Sequence, residues 1–173
     1  MTPIKILFLC TGNSSRSILC EATLNHLDRT RFLAYSAGSQ PAGRVNPWAL
    51  RELTRLGIST DGLRSKCWDE YTGPGAPAFD LVITVCDDAA AEPCPVFFGD
   101  FVRAHWGLPD PTFVSGDADV LAEAFRRTQA VISQRIQALV ALPLREMAPE
   151  EMRIELEAIT ARYPSVDLVV STP

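Results

Sequence analysis

The residues that could do chemistry begin with a cysteine near the start of the chain. Residues 10–17 read CTGNSSRS, with five residues between Cys10 and Arg16. Backbone N–H groups of such a loop can cradle an anion, and the planar guanidinium of Arg16 can hold two oxygens of a tetrahedral oxyanion. The positive field predicts a lowered pKa for the Cys10 thiol, which makes it a candidate nucleophile. The predicted cradle residues are Thr11, Gly12, Asn13, Ser14, Ser15 and Ser17. The alternative is a buried cysteine at a strand end, followed by a polar turn.

A second candidate is Asp110, which stands between two prolines that would stiffen its loop. A carboxylic acid there could protonate the oxygen that leaves a tetrahedral centre, so Asp110 is the predicted general acid. The alternative is an ordinary turn. His105 and Trp106 nearby are interpreted as structural residues. With two histidines in the whole chain, no metal-ligating constellation is predicted.

These residues need elements that bring them together. Apolar runs at residues 4–9 and 79–85 predict buried strands, with shorter strands at 32–36 and within 101–106. Helical periodicity predicts helices over 15–27, 46–56, 119–142 and 149–160. Strands that alternate with helices favour a parallel sheet. The predicted fold class is therefore α/β, a four-stranded parallel sheet flanked by helices, flavodoxin-like, with Cys10 and Asp110 at its carboxyl edge.

Composition excludes several classes of protein. The chain has 173 residues, 47% of them hydrophobic and 21% charged, which is typical of one globular domain. A net charge of −5, without a basic cluster, disfavours nucleic acid and anionic membranes as partners. No apolar run is long enough to span a membrane or to form a signal peptide, so a cytoplasmic location is expected. Five cysteines do not suit a disulfide-stapled secreted fold.

The stretch KILFLCTGNSSRS resembles the signature of low-molecular-weight protein tyrosine phosphatases and of the arsenate reductases built on the same fold. The similarity continues at SAG (36–38), VNP (45–47), LGI (56–58) and FDLVITVCD (79–87), and it spans about residues 4–142. It implies a catalytic domain over 1–145, followed by a C-terminal helical extension and tail over 146–173. It also implies Cys10 as the nucleophile, Arg16 as the oxyanion-binding residue and Asp110 as the general acid.

Cys86 and Cys94 distinguish the two branches of this family. The resemblance to the reductases implies that Cys86 resolves an arsenic adduct on Cys10 and that Cys94 relays the disulfide outward. Strands in a sheet lie about 4.8 Å apart and a disulfide spans Cα atoms about 4.4–6.8 Å apart, so neighbouring first and third strands would permit a Cys10–Cys86 bond. The alternative is burial of both cysteines as small apolar residues. Cys20 is interpreted as a buried residue on the inward side of a helix, and Cys67 as an incidental loop cysteine.

An arsenate reductase that turns arsenate into arsenite, with residual phosphatase activity, is therefore the favoured interpretation. Thioredoxin, glutaredoxin with glutathione, or mycothiol would supply electrons from outside, and no tightly bound cofactor is expected. A phosphatase acting through a phospho-cysteine, and a non-catalytic anion-binding or redox-sensing module, are the alternatives. The resemblance also relates Glu21, Ser36 and Asn13 to a network beneath the loop that is sometimes associated with potassium; no metal site is predicted here.

Overall fold

Four parallel strands form the centre of the molecule. The computed structural model describes residues 1–93, 95, 97 and 99–169. The strands are β1 (Ile4–Cys10), β2 (Phe32–Gly38), β3 (Leu81–Thr84) and β4 (Val102–His105), and they pair in the order β2-β1-β3-β4. The predicted α/β class with a four-stranded parallel sheet is confirmed. Because β1 and β3 are neighbours, the segments that follow them meet at one edge of the sheet.

Five helices connect and cover the strands. They are α1 (Arg16–Leu27), α2 (Pro47–Arg55), α3 (Asp87–Ala91), α4 (Ala118–Val140) and α5 (Pro149–Arg162). Asn46 caps α2 through its side-chain oxygen, which accepts from the N–H of Trp48 at 2.8 Å, as a proline at the first helical position suggests. The short helix α3 lies in a stretch that the sequence analysis left without secondary structure. Of the helices described, none is long and apolar enough to cross a membrane.

The core has two parts, one on each face of the sheet. The larger part contains buried residues of α1, α2, α4 and α5, packed against strand residues such as Ile6, Phe8 and Ile83. The smaller part is mostly aromatic and centres on Phe79, whose ring meets those of Tyr35, Tyr71 and Phe97 edge-on. Connecting segments, rather than long helices, supply this second cover. Both faces of β1 and β3 are therefore buried, which explains their continuous apolar sequence.

Candidate active site

The loop after β1 folds back onto the sulfur of Cys10. Asn13 has a φ of 43°, a left-handed conformation that asparagine tolerates better than most residues. This turn brings the backbone N–H of Asn13 to 3.1 Å from Cys10 Sγ. Gly38 on β2 permits the close approach, because a Cβ there would overlap the carbonyl oxygen of Thr11 and lie 2.9 Å from that of Cys10. Of the loop residues 11–17, Asn13 is the one that adopts a positive φ.

A buried hydrogen-bond network fixes the direction of one proton. Asn13 Nδ2 donates to the hydroxyls of Ser17 at 2.8 Å and Ser36 at 3.0 Å, while its Oδ1 accepts from the N–H of Lys66 at 2.9 Å. Ser17 Oγ lies 2.9 Å from Cys10 Sγ. Because Ser17 already accepts from Asn13, its own proton is free to point at the sulfur. Ser17 is thus placed to donate to a Cys10 thiolate.

The predicted lowering of the Cys10 pKa is wrong for this conformation. Burial raises the pKa of the Cys10 thiol, and nearby Cys86 acts in the same direction; the Ser17 hydroxyl, the Arg16 guanidinium and the Asn13 N–H oppose the shift without reversing it. The reason is that Cys10 is only 3% exposed, so that its charged form loses almost all hydration. The loop reduces the cost of making the thiolate without removing it.

Arg16 and Asp110, which are 94 residues apart in the chain, form an ion pair beside the loop. Arg16 Nη2 lies 3.1 Å from Asp110 Oδ2, and Nη1 donates to the carbonyl of Leu108 at 2.9 Å. The other carboxylate oxygen of Asp110 accepts from the N–H and the hydroxyl of Thr112, at 2.9 and 2.7 Å. The structure therefore brings the predicted oxyanion binder and the predicted acid together, with Asp110 held at a defined position.

Cys86 lies two residues after β3 and reaches the same loop. Its Sγ is 3.7 Å from the hydroxyl of Thr11 and accepts from the N–H of Ala89 in α3 at 3.3 Å. Glu92, at the end of α3, accepts a hydrogen bond from the same Thr11 hydroxyl at 3.4 Å. Two cysteines that are 76 positions apart thus border one residue, Thr11. Cys94 lies outside the described residues, so its predicted relay role stays a prediction.

Lys66 is the residue that the sequence analysis missed. Its ammonium lies 3.5 Å from a carboxylate oxygen of Glu21, 3.3 Å from Ser36 Oγ and 3.0 Å from the carbonyl oxygen of Arg64. Burial raises the pKa of Glu21 and lowers that of Lys66, and attraction between the two charges opposes both shifts. The ammonium occupies the place among these oxygens that a cation would take. The network therefore does not fit a bound potassium ion.

His105 connects the ends of two strands. Its Nδ1 lies 2.7 Å from Thr84 Oγ1, and its Nε2 lies 2.8 Å from Asp87 Oδ1. Asp87 is the residue that directly follows Cys86. The carboxylate of Asp87 favours the tautomer with hydrogen on Nε2. Within the described ranges, no three His, Cys, Asp or Glu side chains come together as a possible metal centre.

A parallel α/β sheet with a Cys-x5-Arg turn at its carboxyl edge defines a class of proteins that hold a thiol under an anion-binding loop. Residues 5–152 match the family model described as low molecular weight phosphotyrosine protein phosphatase, and the chain belongs to this family. Among curated relatives, the arsenate reductase of Bacillus subtilis (strain 168) is 34% identical over 132 residues, which cover 76% of this chain and 91% of the relative. The arsenate reductase of Halalkalibacterium halodurans is 36% identical over 132 residues, which again cover 76% of this chain and 91% of the relative.

Solved structures give the same comparison. An arsenate reductase from Archaeoglobus fulgidus superimposes with a TM-score of 0.62 and 28% identity, covering 79% of this chain and 99% of the other. An arsenate reductase described as being in the phosphate binding state gives a TM-score of 0.62 and 25% identity, covering 80% of this chain and 97% of the other. A low molecular weight protein tyrosine phosphatase from T. tengcongensis shares the fold at a TM-score of 0.60 and 23% identity. The resemblance read from the sequence is confirmed.

Proposed function

We propose that this protein is an arsenate reductase that uses Cys10 and Cys86 as its first pair of thiols. One observation carries the proposal: a second buried cysteine, Cys86, stands two residues after β3, the strand next to β1, with its sulfur 3.7 Å from the hydroxyl of loop residue Thr11. Hydrolysis of a phosphate ester needs one thiol, whereas reduction of As(V) to As(III) needs two electrons, which a dithiol supplies. The curated relatives that are 34% and 36% identical are named arsenate reductases, which supports the same choice.

In the first step, the Cys10 thiolate attacks arsenic, and one arsenate oxygen leaves as water. The N–H groups of the loop and Arg16 hold the remaining oxygens. Asp110 supplies the proton to the leaving oxygen. Its ion pair with Arg16 places the acid beside the group that binds the anion. The Ser17 hydroxyl stabilises the sulfur while it carries negative charge.

In the second step, the Cys86 thiolate attacks the Cys10 sulfur. The sulfur–arsenic bond breaks, its electron pair stays on arsenic, and arsenite leaves as a Cys10–Cys86 disulfide forms. The two thiols have then lost two electrons and arsenic has gained two. We propose that Cys94 next attacks Cys86, and that thioredoxin, glutaredoxin with glutathione, or mycothiol reduces the enzyme. A reducing cytoplasm suits free thiols of this kind.

Phosphatase activity is the second candidate, and Phe113 is the observation that favours it. This ring follows the Asp-Pro pair on a short turn and is 85% exposed, where it could contact an aryl group on the substrate. Hydrolysis would use Cys10, Arg16 and Asp110, with water resolving a phospho-cysteine. The family model that matches the chain carries a phosphatase description, and both activities would share this machinery.

The experiment that tests the proposal compares Cys86→Ser with Cys67→Ser. Cys67 is a partly buried cysteine with no proposed role, which makes it the matched control. Reduced protein is mixed with arsenate, and arsenite production and free thiols are counted. We expect Cys86→Ser to stop arsenite production and to spare hydrolysis of a small aryl phosphate, while Cys67→Ser retains both. Arsenate reduction at the wild-type rate by Cys86→Ser, with every candidate reductant, would make the phosphatase the better assignment.

The relay is tested separately with Cys94→Ser. This variant should form the Cys10–Cys86 disulfide once and then stall, because thiol–disulfide exchange needs an attacking thiolate. Peptide mass spectrometry identifies which cysteines are joined. Full turnover, with a mixed disulfide on Cys10, would instead mean that an external thiol resolves the adduct directly.

A further inference from the structure

The helix α5 packs against the end of β4, and most of it lies beyond residue 152, where the family match stops. Leu156 and Ile159 of α5 are 0% and 1% exposed and belong to the larger core. Trp106, which directly follows β4, is 1% exposed, and its indole N–H donates to the carbonyl of Leu156 at 3.0 Å. The helix α5 is therefore joined by packing and by a buried hydrogen bond to the residue that begins the Asp110 loop.

Residues 163–168 after α5, the C-terminal segment, contact Gly107, which is the next residue of the same loop. The carbonyl of Gly107 accepts from Ser165 Oγ at 3.0 Å and from Arg135 Nη1 at 3.4 Å. Arg135 is 2% exposed, and its Nε donates to the carbonyl of Tyr163 at 3.0 Å. Arg135 thus links the Gly107 carbonyl to the C-terminal segment from the protein interior, while Ser165 reaches it from the surface.

Further contacts keep this segment in place. The carbonyl of Asp167 accepts from Arg127 Nη1 at 2.9 Å, and the side chain of Leu168 is only 9% exposed. Arg127 and Arg135 are eight residues apart on α4, so their side chains point about 80° apart around that helix. Because Arg135 contacts Tyr163 and Arg127 contacts Asp167, residues 163–168 run along α4 and pass Gly107 at Ser165.

The other side of the loop is held by the active site. Leu108 N–H donates to the carbonyl of Val85 at 3.1 Å, and Leu108 C=O accepts from Arg16. Arg16 in turn pairs with Asp110. The backbone from Trp106 to Asp110 is thus fixed between the β3 edge on one side and the C-terminal segment on the other. Any loosening at Gly107 would be passed to Asp110 through two residues, Leu108 and Pro109.

We propose that the C-terminal segment is a positioning element for the general acid, acting through Ser165 and Arg135 on the carbonyl of Gly107. The proposal rests on the proposed function, because it takes Asp110 as the acid for arsenate. Neither Ser165 nor Arg135 touches the substrate. Their role is to limit the positions that the Asp110 carboxylate can reach, and a proton transfer depends steeply on that geometry.

The test compares Ser165→Ala with Thr160→Ala, alone and combined with Asp110→Asn. Thr160 is the matched control, since its hydroxyl also donates to a carbonyl, that of Glu157 within α5. The measured quantity is the rate of arsenate-driven thiol loss in a single turnover at saturating arsenate. We expect Ser165→Ala to slow it by about two- to tenfold, the worth of one hydrogen bond, with the arsenate concentration for half-maximal rate unchanged. Thr160→Ala should match the wild type.

The double variants separate positioning from general weakening of the fold. If Ser165 acts through Asp110, then Ser165→Ala adds nothing in the Asp110→Asn background. Removal of residues 164–173 should slow the reaction more than Ser165→Ala does. Equal rates for Ser165→Ala and the wild type, or the same loss with and without Asp110, would overturn the proposal.

Failure of the proposed function gives a different result. A wild-type protein that loses no thiols with arsenate refutes the reductase assignment, and the same four variants are then compared in hydrolysis of an aryl phosphate, which also uses Asp110. A loss on Ser165→Ala that still depends on Asp110 keeps the positioning role. Inactivity of the wild type in both reactions overturns both proposals.

Discussion

Replacing Ser17 by alanine removes one proton donor from the Cys10 sulfur and one acceptor from Asn13 Nδ2, which keeps Ser36 as its other partner. Ser17 is 0% exposed, so no water can take the place of its hydroxyl. A hydrogen bond to a charged group contributes about 1.5–3 kcal/mol. Because this hydrogen bond stabilises the charged thiolate, losing the hydrogen bond raises the pKa of Cys10 beyond the increase that burial already causes. At neutral pH the thiolate population should fall by about ten- to a hundredfold.

The assay follows alkylation of Cys10 by iodoacetamide across a range of pH, with peptide mass spectrometry to distinguish the five cysteines. Only the thiolate reacts, so the rate should rise with pH and level off above the pKa of Cys10. For Ser17→Ala the whole curve should move to higher pH, with the same final rate. Initial arsenate-driven thiol loss at neutral pH should fall by the same factor.

Ser15→Ala is the control for this experiment. Ser15 lies in the same loop and its hydroxyl is buried, yet it has no hydrogen-bond partner among the residues that the structure describes. Its removal should leave the alkylation curve of Cys10 in place. If Ser17→Ala titrates like the wild type, or if Ser15→Ala moves the curve equally, the proton of Ser17 does not point at the sulfur and the reasoning fails.

Three further substitutions test the surroundings of the loop. Lys66→Met leaves the Glu21 carboxylate buried without its partner and should lower the free energy of unfolding by about 3–5 kcal/mol in urea titrations. Added potassium should restore part of that stability. Lys5→Met, at the chain's other lysine, is the control and should change the free energy of unfolding little. Gly38→Ala pushes a methyl group into the loop backbone and should lower the free energy of unfolding by about 1–3 kcal/mol in the same titrations. The same variant should also lose arsenate reduction. Asp110→Asn should slow the first chemical step by about 10²–10⁴-fold in single-turnover measurements while phosphate still binds; equal loss of binding and rate would mean that Asp110 only shapes its loop.

The fold followed from the sequence because its strongest signals are local. The apolar run at 79–85 predicted a strand. Hydrogen bonds to β1 continue one residue beyond each end of β3, from Asp80 N–H to the Lys5 carbonyl and from Val85 N–H to the Leu9 carbonyl. The helix α3 was missed although its signal was present. Two acidic residues followed by three alanines suit the first turn and body of a helix, but five residues are too few for a periodic pattern.

The candidate site was predictable only in part. The loop residues follow β1 directly and Cys86 stands two residues after β3, and those positions alone suggested that they meet. Lys66 carries no comparable signal, because its partner Glu21 is 45 residues away and a lysine in a polar stretch suggests a surface side chain. Arg135 was equally hidden, since it lies on a helix that the pattern of apolar residues explains without it. Contacts between distant polar residues leave no periodicity to read.

The ion pair between Arg16 and Asp110 means that the resting site carries its own counter-ion. An incoming anion must take Arg16 away from a carboxylate whose side chain is only 19% exposed, so the measured affinity is the intrinsic affinity reduced by the cost of parting the two charges. A singly charged, spherical ion such as chloride offers no forked set of oxygens to repay that cost. A tetrahedral oxyanion does, and it also accepts from the N–H groups of the loop. The Asp110 carboxylate thus competes with incoming anions for Arg16, and this competition disfavours binding of simple anions such as chloride above Cys10.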